Sequence, residues 1–240
     1  VSHIGSNLSC IDIMAVLFEK IDLDKDRFVL SAGWKAASLY YFLWRKGRIS
    51  EKELNSFCQE GSKFIGLAEP IIPEIKIAGG SMGLGLPGAV GLALAKKLKG
   101  EDGKVYVLMS DGEMQCGTTW ESALIAGRHG LDNLYAIVDN NGFQAMGKTN
   151  EILDVQPIGW RFNTCGWNFV EIPDGSDTFA VEQALKFEEE KGEVNKPVVF
   201  IANTIKGKGV SFMENNNLYH YKQLSQIEFD EAMKELNTNV

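Results

Sequence analysis

The chain of 240 residues has the apolar (45%) and charged (23%) fractions of an ordinary soluble globular protein. Its net charge of −8 argues against a nucleic-acid partner, because that binding depends on clustered lysine and arginine. The longest apolar run, 84–95, is broken by Pro87, Gly88 and Gly91 and is too short to span a bilayer, so no membrane partner is expected. Four scattered cysteines without a CxxC pair favour free thiols and a cytoplasmic location.

The first part of the chain is predicted to be mainly helical. Apolar residues recur at helical spacing within residues 1–50, most regularly over 8–18 and 36–44. Residues 51–80 are polar and rich in turn residues, and we expect them to form a surface excursion. A helix of small residues is predicted over 81–98, and Gly100 ends it.

The second part alternates short β-branched runs with helical segments. Strands are predicted over 105–109, 134–138, 169–172 and 198–202, and helices over 118–128, 158–164 and 178–191. This alternation predicts an α/β fold, a parallel sheet covered by helices on both faces. No internal repeat or linker is visible, so residues 1–240 are expected to form a single domain, with 207–240 as a C-terminal extension.

Two of the predicted strands end in polar residues suited to a metal. Asp111-Gly112 follows one strand and Asn141 follows the next, 30 positions later (141 − 111), which is enough for one crossover. Ligands bind beyond the carboxyl ends of parallel strands, and carboxylate and amide oxygens suit Mg²⁺. Either dipeptide alone would favour an ordinary turn. Both together at strand ends favour a site for Mg²⁺ and a diphosphate.

These residues resemble a known motif. D-G-E at 111–113 followed by N-N at 140–141 resembles the diphosphate-and-metal motif of thiamine diphosphate enzymes, with Ser110 in place of the first glycine. Over nearly its whole length the chain is similar to the amino-terminal domain of transketolase. The further motifs are S-H-I-G-S at 2–6, D-R-F-V-L-S at 26–31, G-G-S-M-G-L-G at 79–85, T-I-K-G-K-G at 204–209, and His220.

The resemblance implies the thiamine diphosphate-binding fold, with thiamine diphosphate and Mg²⁺ as cofactors. It implies catalytic roles for His3 and His220, and places Asp111, Asn141 and the backbone oxygen of Phe143 on the metal. The implied cofactor contacts are Ser6, Gly80, Ser81, Met82, Gly112, Glu113, Asn141, Lys206 and His220. Two alternatives stay open: Lys206 as a solvated surface charge, and Glu121, which matches an acidic family position, as an ordinary helix carboxylate.

Two positions depart from the family pattern. Trp34 stands where relatives carry a histidine, and an indole can neither accept a proton nor act as a base. Cys116 stands where family members commonly carry a glutamate. We therefore expect the substrate preference to differ from that of an ordinary transketolase.

The resemblance also implies a partner. In this family a glutamate of a second, pyrimidine-binding domain assists deprotonation of the cofactor, and no part of this chain resembles that domain. The expected function is the diphosphate-binding subunit of a heterotetramer with a pyrimidine-binding subunit. Together they would transfer a two-carbon ketol unit between a ketose and an aldose, as sugars or sugar phosphates. The alternatives are the α-subunit of a thiamine-dependent 2-oxoacid dehydrogenase or decarboxylase, and an inactive cofactor-holding regulatory or assembly subunit.

Overall fold

A five-stranded parallel sheet organises the chain. The computed structural model describes residues 3–191 and 195–238, so Ser2 of the predicted amino-terminal motif lies outside the described residues. The strands are β1 (Arg27–Leu30), β2 (Val105–Ser110), β3 (Leu134–Asn140), β6 (Asn168–Ile172) and β7 (Val198–Asn203), in the order β1-β2-β3-β7-β6. A short hairpin, β4 (Phe143–Gln144) with β5 (Gly147–Lys148), follows β3.

The helices cover both faces of the sheet. They are α1 (Ile4–Ser9), α2 (Ile11–Lys20), α3 (Ala36–Arg45), α4 (Glu51–Asn55), α5 (Gly85–Lys99), α6 (Gly117–Arg128), α7 (Thr149–Ile152), α8 (Ile158–Thr164), α9 (Thr178–Lys191) and α10 (Gln226–Thr238). Tyr106 and Leu108 of β2 join a core with α2, α3 and α9. Their neighbours Val107 and Met109 join a second core with α5, α6 and α8. The predicted fold class is confirmed, and among the described residues no helix is both long and apolar enough to cross a membrane.

The helical prediction for 1–50 is wrong at one element. Arg27–Leu30 forms the edge strand β1, in parallel register with Val105–Leu108 of β2. Phe28, Val29 and Leu30 are all buried. A run this short carries no periodicity that separates a strand from a buried turn of helix, so its place in the sheet decides the structure.

The predicted surface excursion over 51–80 is wrong in part. The segment begins with α4, where Ser50 and Glu53 form a capping box, and it then returns to the core. Phe64, Ala68 and Ile75 are buried against α2 and α3. The helix predicted from residue 81 begins at Gly85, and Gly100 ends it in the left-handed conformation (φ 63°), as expected.

The C-terminal segment packs against the start of the chain. Val210, Met213, Tyr219 and Ala232 form a small cluster with α1. Gly207 N donates to Gly5 O at 2.9 Å, which joins the loop after β7 to α1. This packing places His220 beside His3. The treatment of 207–240 as an extension of one domain stays a prediction.

Candidate active site

An open cleft lies beyond the carboxyl ends of the strands. The ends of β1, β2 and β3 contribute to its walls, because parallel strands deliver their following loops to one edge of the sheet. The predicted site residues that line it are His3, Ser6, Gly80, Met82, Gly112, Asn141, Phe143 and His220. Asp111, Glu113 and Lys206 are buried directly behind the wall, and Ser81 is exposed beside it. The structure therefore brings residues far apart in the chain to one site.

Asp111 and Asn141 meet at the base of this cleft. The Asp111 carboxylate accepts hydrogen bonds from Gly112 N (2.9 Å) and from Gly142 N (2.8 Å), the residue after Asn141. Burial, with the neighbouring Asp139 charge, raises the pKa of Asp111 to about 7. A bound cation would favour the ionised form of this carboxylate, so the position suits a metal ligand.

The amide of Asn141 has a fixed orientation. Its nitrogen donates to Asp139 Oδ2 at 3.1 Å, and its oxygen accepts from Phe143 N at 3.0 Å. Among the described residues no three His, Cys, Asp or Glu side chains are grouped as a metal site. A metal here would rest on one carboxylate, an amide or backbone oxygen, and oxygens of a ligand, which is how Mg²⁺ is commonly held.

Glu113 supports the cleft wall. Its fully buried carboxylate accepts from Ser31 Oγ, from Gly83 N (3.0 Å) and from Ser110 N (2.9 Å). Burial raises its pKa, and these donors oppose the rise. Glu113 thereby ties the ends of β1 and β2 to the loop before α5. Its direct contact with a cofactor stays a prediction, because its carboxylate points into the wall.

A buried ion pair was not predicted from the sequence. Lys35 and Asp139 are both completely buried and form an ion pair. Asp139 also accepts from Ser9 Oγ (2.6 Å) and Thr204 Oγ1. Burial alone would raise the pKa of Asp139, but the Lys35 ammonium overrides it and holds that pKa below its usual value. The sequence signal for this pair was a lysine within a stretch of small and apolar residues shortly after 27–30. It could be interpreted only once 27–30 was known to form the strand β1.

His3 is strained and partly unsatisfied. It caps α1 in the left-handed conformation (φ 47°), which is unusual for a residue other than glycine. Its Nδ1 is buried and has no hydrogen-bond partner among the described residues. Backbone strain and an orphaned polar atom cluster at functional sites, so both observations favour a ligand-binding role for His3.

His220 faces the same space. Its ring lies edge-on to that of His3, with centroids 5.2 Å apart, and beside Tyr221. Lys206 Nζ lies 2.8 Å from His220 Nδ1. Burial, followed by the Lys206 charge, lowers the pKa of His220 to about 3, so the ring is neutral at pH 7.

Gly33 and Gly79 are required by a close approach of two loops. Gly33 N donates to Gly79 O at 3.0 Å. A Cβ on Gly33 would lie 2.1 Å from that carbonyl oxygen, so any side chain would force the two loops apart. This close approach joins the end of β1 to the G-G-S-M loop at 79–82.

Comparisons with known proteins show the family of this chain. Residues 2–239 match the family described as transketolase, thiamine diphosphate binding domain. An apulose-4-phosphate transketolase subunit from Phocaeicola vulgatus is 32% identical over 99% of this chain and 87% of its own length. A 6-deoxy-6-sulfo-D-fructose transketolase subunit from Clostridium sp. is 33% identical over 98% and 88%.

The fold gives the same result. The transketolase structure from Campylobacter jejuni has a TM-score of 0.88 and 30% identity, covering 96% of this chain and 38% of that one. The one from Pichia stipitis with sedoheptulose 7-phosphate has a TM-score of 0.88 and 26% identity, covering 96% and 36%. The chain belongs to the transketolase family. It spans less than two fifths of these two solved transketolases. The match to this family confirms the prediction of a thiamine diphosphate-dependent transferase.

The residues present fit the diphosphate end of the transketolase cofactor. Asp111 and Asn141 offer hard oxygen ligands, and His3 Nδ1 is a buried polar atom without a partner among the described residues. Gly112 leaves backbone room, since a Cβ there would already lie 3.3 Å from Gln144 Cβ. When bound, thiamine diphosphate supplies the carbon nucleophile, and the protein supplies orientation and electrostatics.

Both departures from the transketolase pattern lie near the cleft. Trp34 lines it directly. Cys116 precedes α6 and touches the space beside Gly83, where a Cβ would lie 2.7 Å from Cys116 Cβ. Glu121 is exposed on α6. Trp34 is thus the substitution placed to meet a ligand.

His220 should make stability depend on pH. The unfolded ring takes up a proton below its ordinary pKa of 6.5, whereas the folded ring does so only near 3. Acidification therefore favours the unfolded chain across that window. Between pH 7 and 5 we expect wild type to lose up to about 2 kcal/mol more free energy of unfolding than His220→Gln, measured by urea denaturation. Equal losses in both proteins would show that the folded ring titrates normally.

Proposed function

We propose that this chain is the diphosphate-binding subunit of a two-chain transketolase that transfers a two-carbon ketol unit from a ketose to an aldose. The observation that carries the proposal is the meeting of Asp111 and Asn141 beneath a cleft faced by His3 and His220. The relatives named as transketolase subunits, which match over most of their length, support the two-chain arrangement.

In this proposal the residues that follow β2 and β3 would hold the diphosphate of the cofactor. Asp111, Asn141 and the Phe143 carbonyl would hold Mg²⁺, and Gly112 would let the backbone approach the phosphates. Gly80 and Met82 line the cleft and Ser81 is exposed beside it, and this loop would also contact the cofactor. His3 and His220 would contact the substrate and the cofactor.

Exposed apolar residues before α5 and on α6 support the proposal of a partner chain. Met82 and Leu84, before α5, and Leu124 and Ile125, on α6, are large apolar residues that are 43–57% exposed. Met82 lines the cleft, and helices α5 and α6 pack together in one core. We propose that a pyrimidine-binding subunit covers these exposed apolar residues, in a heterotetramer of two copies of each chain. The four free cysteines fit a reducing compartment, and we propose the cytoplasm.

Ketol transfer by the separate and combined subunits tests this function. We expect the purified chain, with thiamine diphosphate and Mg²⁺, to be inactive by itself and to gain activity when a pyrimidine-binding subunit is added. The pyrimidine-binding subunit without this chain is the matched control. Full activity without a partner contradicts the two-chain proposal. Cofactor binding by the combined subunits without turnover of any ketose would instead favour a cofactor-holding assembly role.

Trp34 should determine part of the substrate preference. The indole lines the cleft together with Leu67, Phe143 and Tyr221, so part of the lining is apolar and aromatic. We expect low activity on the sugar phosphates that suit ordinary transketolases, and a preference for a bulkier or less charged acceptor. Trp34→His should raise activity on xylulose 5-phosphate and ribose 5-phosphate by up to about tenfold, the value of one recovered hydrogen bond.

The control for this comparison is Trp160→His. Trp160 is 58% exposed on α8, outside the cleft, so its replacement should leave the preference unchanged. High activity of the wild-type complex on both sugar phosphates would contradict the role given to Trp34.

A further inference from the structure

Lys206 is a buried cation and is not a solvated surface charge. Its side chain is completely buried in the loop after β7. Backbone hydrogen bonds hold this loop at both sides: Gly207 N donates to Gly5 O, and Asn215 N donates to Lys206 O, both at 2.9 Å. The Lys206 ammonium is therefore fixed in place by the fold.

The Lys206 ammonium contacts the Nδ1 atom of His220. Lys206 Nζ lies 2.8 Å from His220 Nδ1, and within residues 3–191 and 195–238 no other hydrogen bond of this ammonium is found. An ammonium has donors only, so Nδ1 must be the acceptor. A neutral imidazole that accepts at Nδ1 carries its proton on Nε2.

The surroundings keep this arrangement at neutral pH. Burial, followed by the charge of Lys35, lowers the pKa of Lys206 to about 8, so the amine is still mostly protonated at pH 7. The titratable groups that face the His220 ring are Lys206, His3 and Tyr221. Both ring neighbours make edge contacts, and in the part of the chain that the structure describes no hydrogen bond engages Nε2.

We propose that Lys206 is a positioning residue that fixes His220 as the Nε2–H tautomer, so that a neutral imidazole donates a hydrogen bond into the cleft. Lys206 thereby acts on the ligand through His220. The tautomer is a property of this chain. Its purpose, donation to an oxygen of the bound cofactor or sugar, rests on the proposed function.

The tautomer can be read directly, because the chain has only three histidines. Long-range ¹H–¹⁵N correlation spectra of imidazole-labelled protein separate protonated from unprotonated ring nitrogens, and His220→Gln assigns the relevant signals. In the wild-type chain at pH 7 we expect an unprotonated Nδ1 and a protonated Nε2 for His220. A protonated Nδ1 would overturn the proposal.

Two substitutions of Lys206 separate positioning from packing. Lys206→Met removes the donor with little change of length, and the Nδ1 signal of His220 should move toward the average of two tautomers. Lys206→Arg keeps a cationic donor and should retain the Nε2–H form. Lys208→Met, two residues away, is the matched control and should leave the spectrum unchanged. An unchanged His220 signal in Lys206→Met would overturn the proposal, and circular dichroism shows in each variant whether the fold is intact.

A ligand titration keeps this inference distinct from the proposed function. Thiamine diphosphate with Mg²⁺, added to the combined subunits, should shift the His220 Nε2 signal in wild type, and the shift should be lost in Lys206→Met. If the tautomer is confirmed in the free chain but the cofactor does not bind, the positioning role stands and the proposed function fails. If the cofactor binds while wild-type His220 shows mixed tautomers, the positioning role fails alone.

Discussion

Asp111→Asn abolishes the Mg²⁺-dependent binding of thiamine diphosphate while the fold stays intact. The amide oxygen can still accept from Gly112 N or Gly142 N, but the negative charge, the one carboxylate proposed for the metal, is gone. Changes to outer-shell partners of metal sites cost roughly 10- to 100-fold in affinity, and loss of the ligand itself should cost more. Calorimetry of the combined subunits, with and without Mg²⁺, measures the effect.

The matched control for that experiment is Asp154→Asn. Asp154 is an exposed carboxylate that follows α7, outside the cleft. Its replacement should leave the affinity for thiamine diphosphate unchanged, both with and without Mg²⁺. If Asp111→Asn binds the cofactor as tightly as wild type, the metal site has been assigned to the wrong residue.

Lys35→Met lowers the free energy of unfolding by about 3–5 kcal/mol, the usual cost of breaking a buried ion pair by removing one partner. The substitution leaves Asp139 completely buried without its cationic partner. Ser9 and Thr204 still donate to it, but neither neutralises its charge. Urea denaturation followed by circular dichroism measures the loss.

A double-mutant cycle assigns this loss to the pair. Asp139→Asn removes the stranded charge, so Lys35→Met in that background should cost much less than in the wild type. Lys52→Met, at an exposed position of α4, should change stability by less than about 0.5 kcal/mol. A loss below about 1 kcal/mol, or an equal loss with Asp139→Asn present, would show that the ion pair contributes nothing specific.

The sheet was predictable where its strands are apolar runs that alternate with helical segments. Apolar runs rich in β-branched residues, such as that of β7, indicated the strands, and the polar residues after β2 and β3 indicated the edge of the site. The edge strand β1 was not predictable, because its four residues show no period. Missing β1 also hid Lys35, which enters the site only when the end of β1 lies beside the ends of its neighbours.

The histidines illustrate a different limit. His3 and His220 were placed by resemblance to the family, since a lone histidine carries no signal of its own. They are far apart in the sequence and are brought together because the C-terminal segment packs on α1. This packing depends on the burial of Met213 and Tyr219. The proton on His220 depends on one nitrogen of one lysine, and no sequence pattern specifies that contact.

The position of the metal tests the central claim most directly. The measurement is a crystal structure of the combined subunits with thiamine diphosphate and Mn²⁺ in place of Mg²⁺, so that anomalous scattering locates the ion. We expect one ion between the diphosphate, the Asp111 carboxylate, Asn141 Oδ1 and the Phe143 carbonyl, with His220 Nε2 facing the bound cofactor. A cofactor bound elsewhere, or an ion that touches neither Asp111 nor Asn141, would contradict the assignment of this cleft.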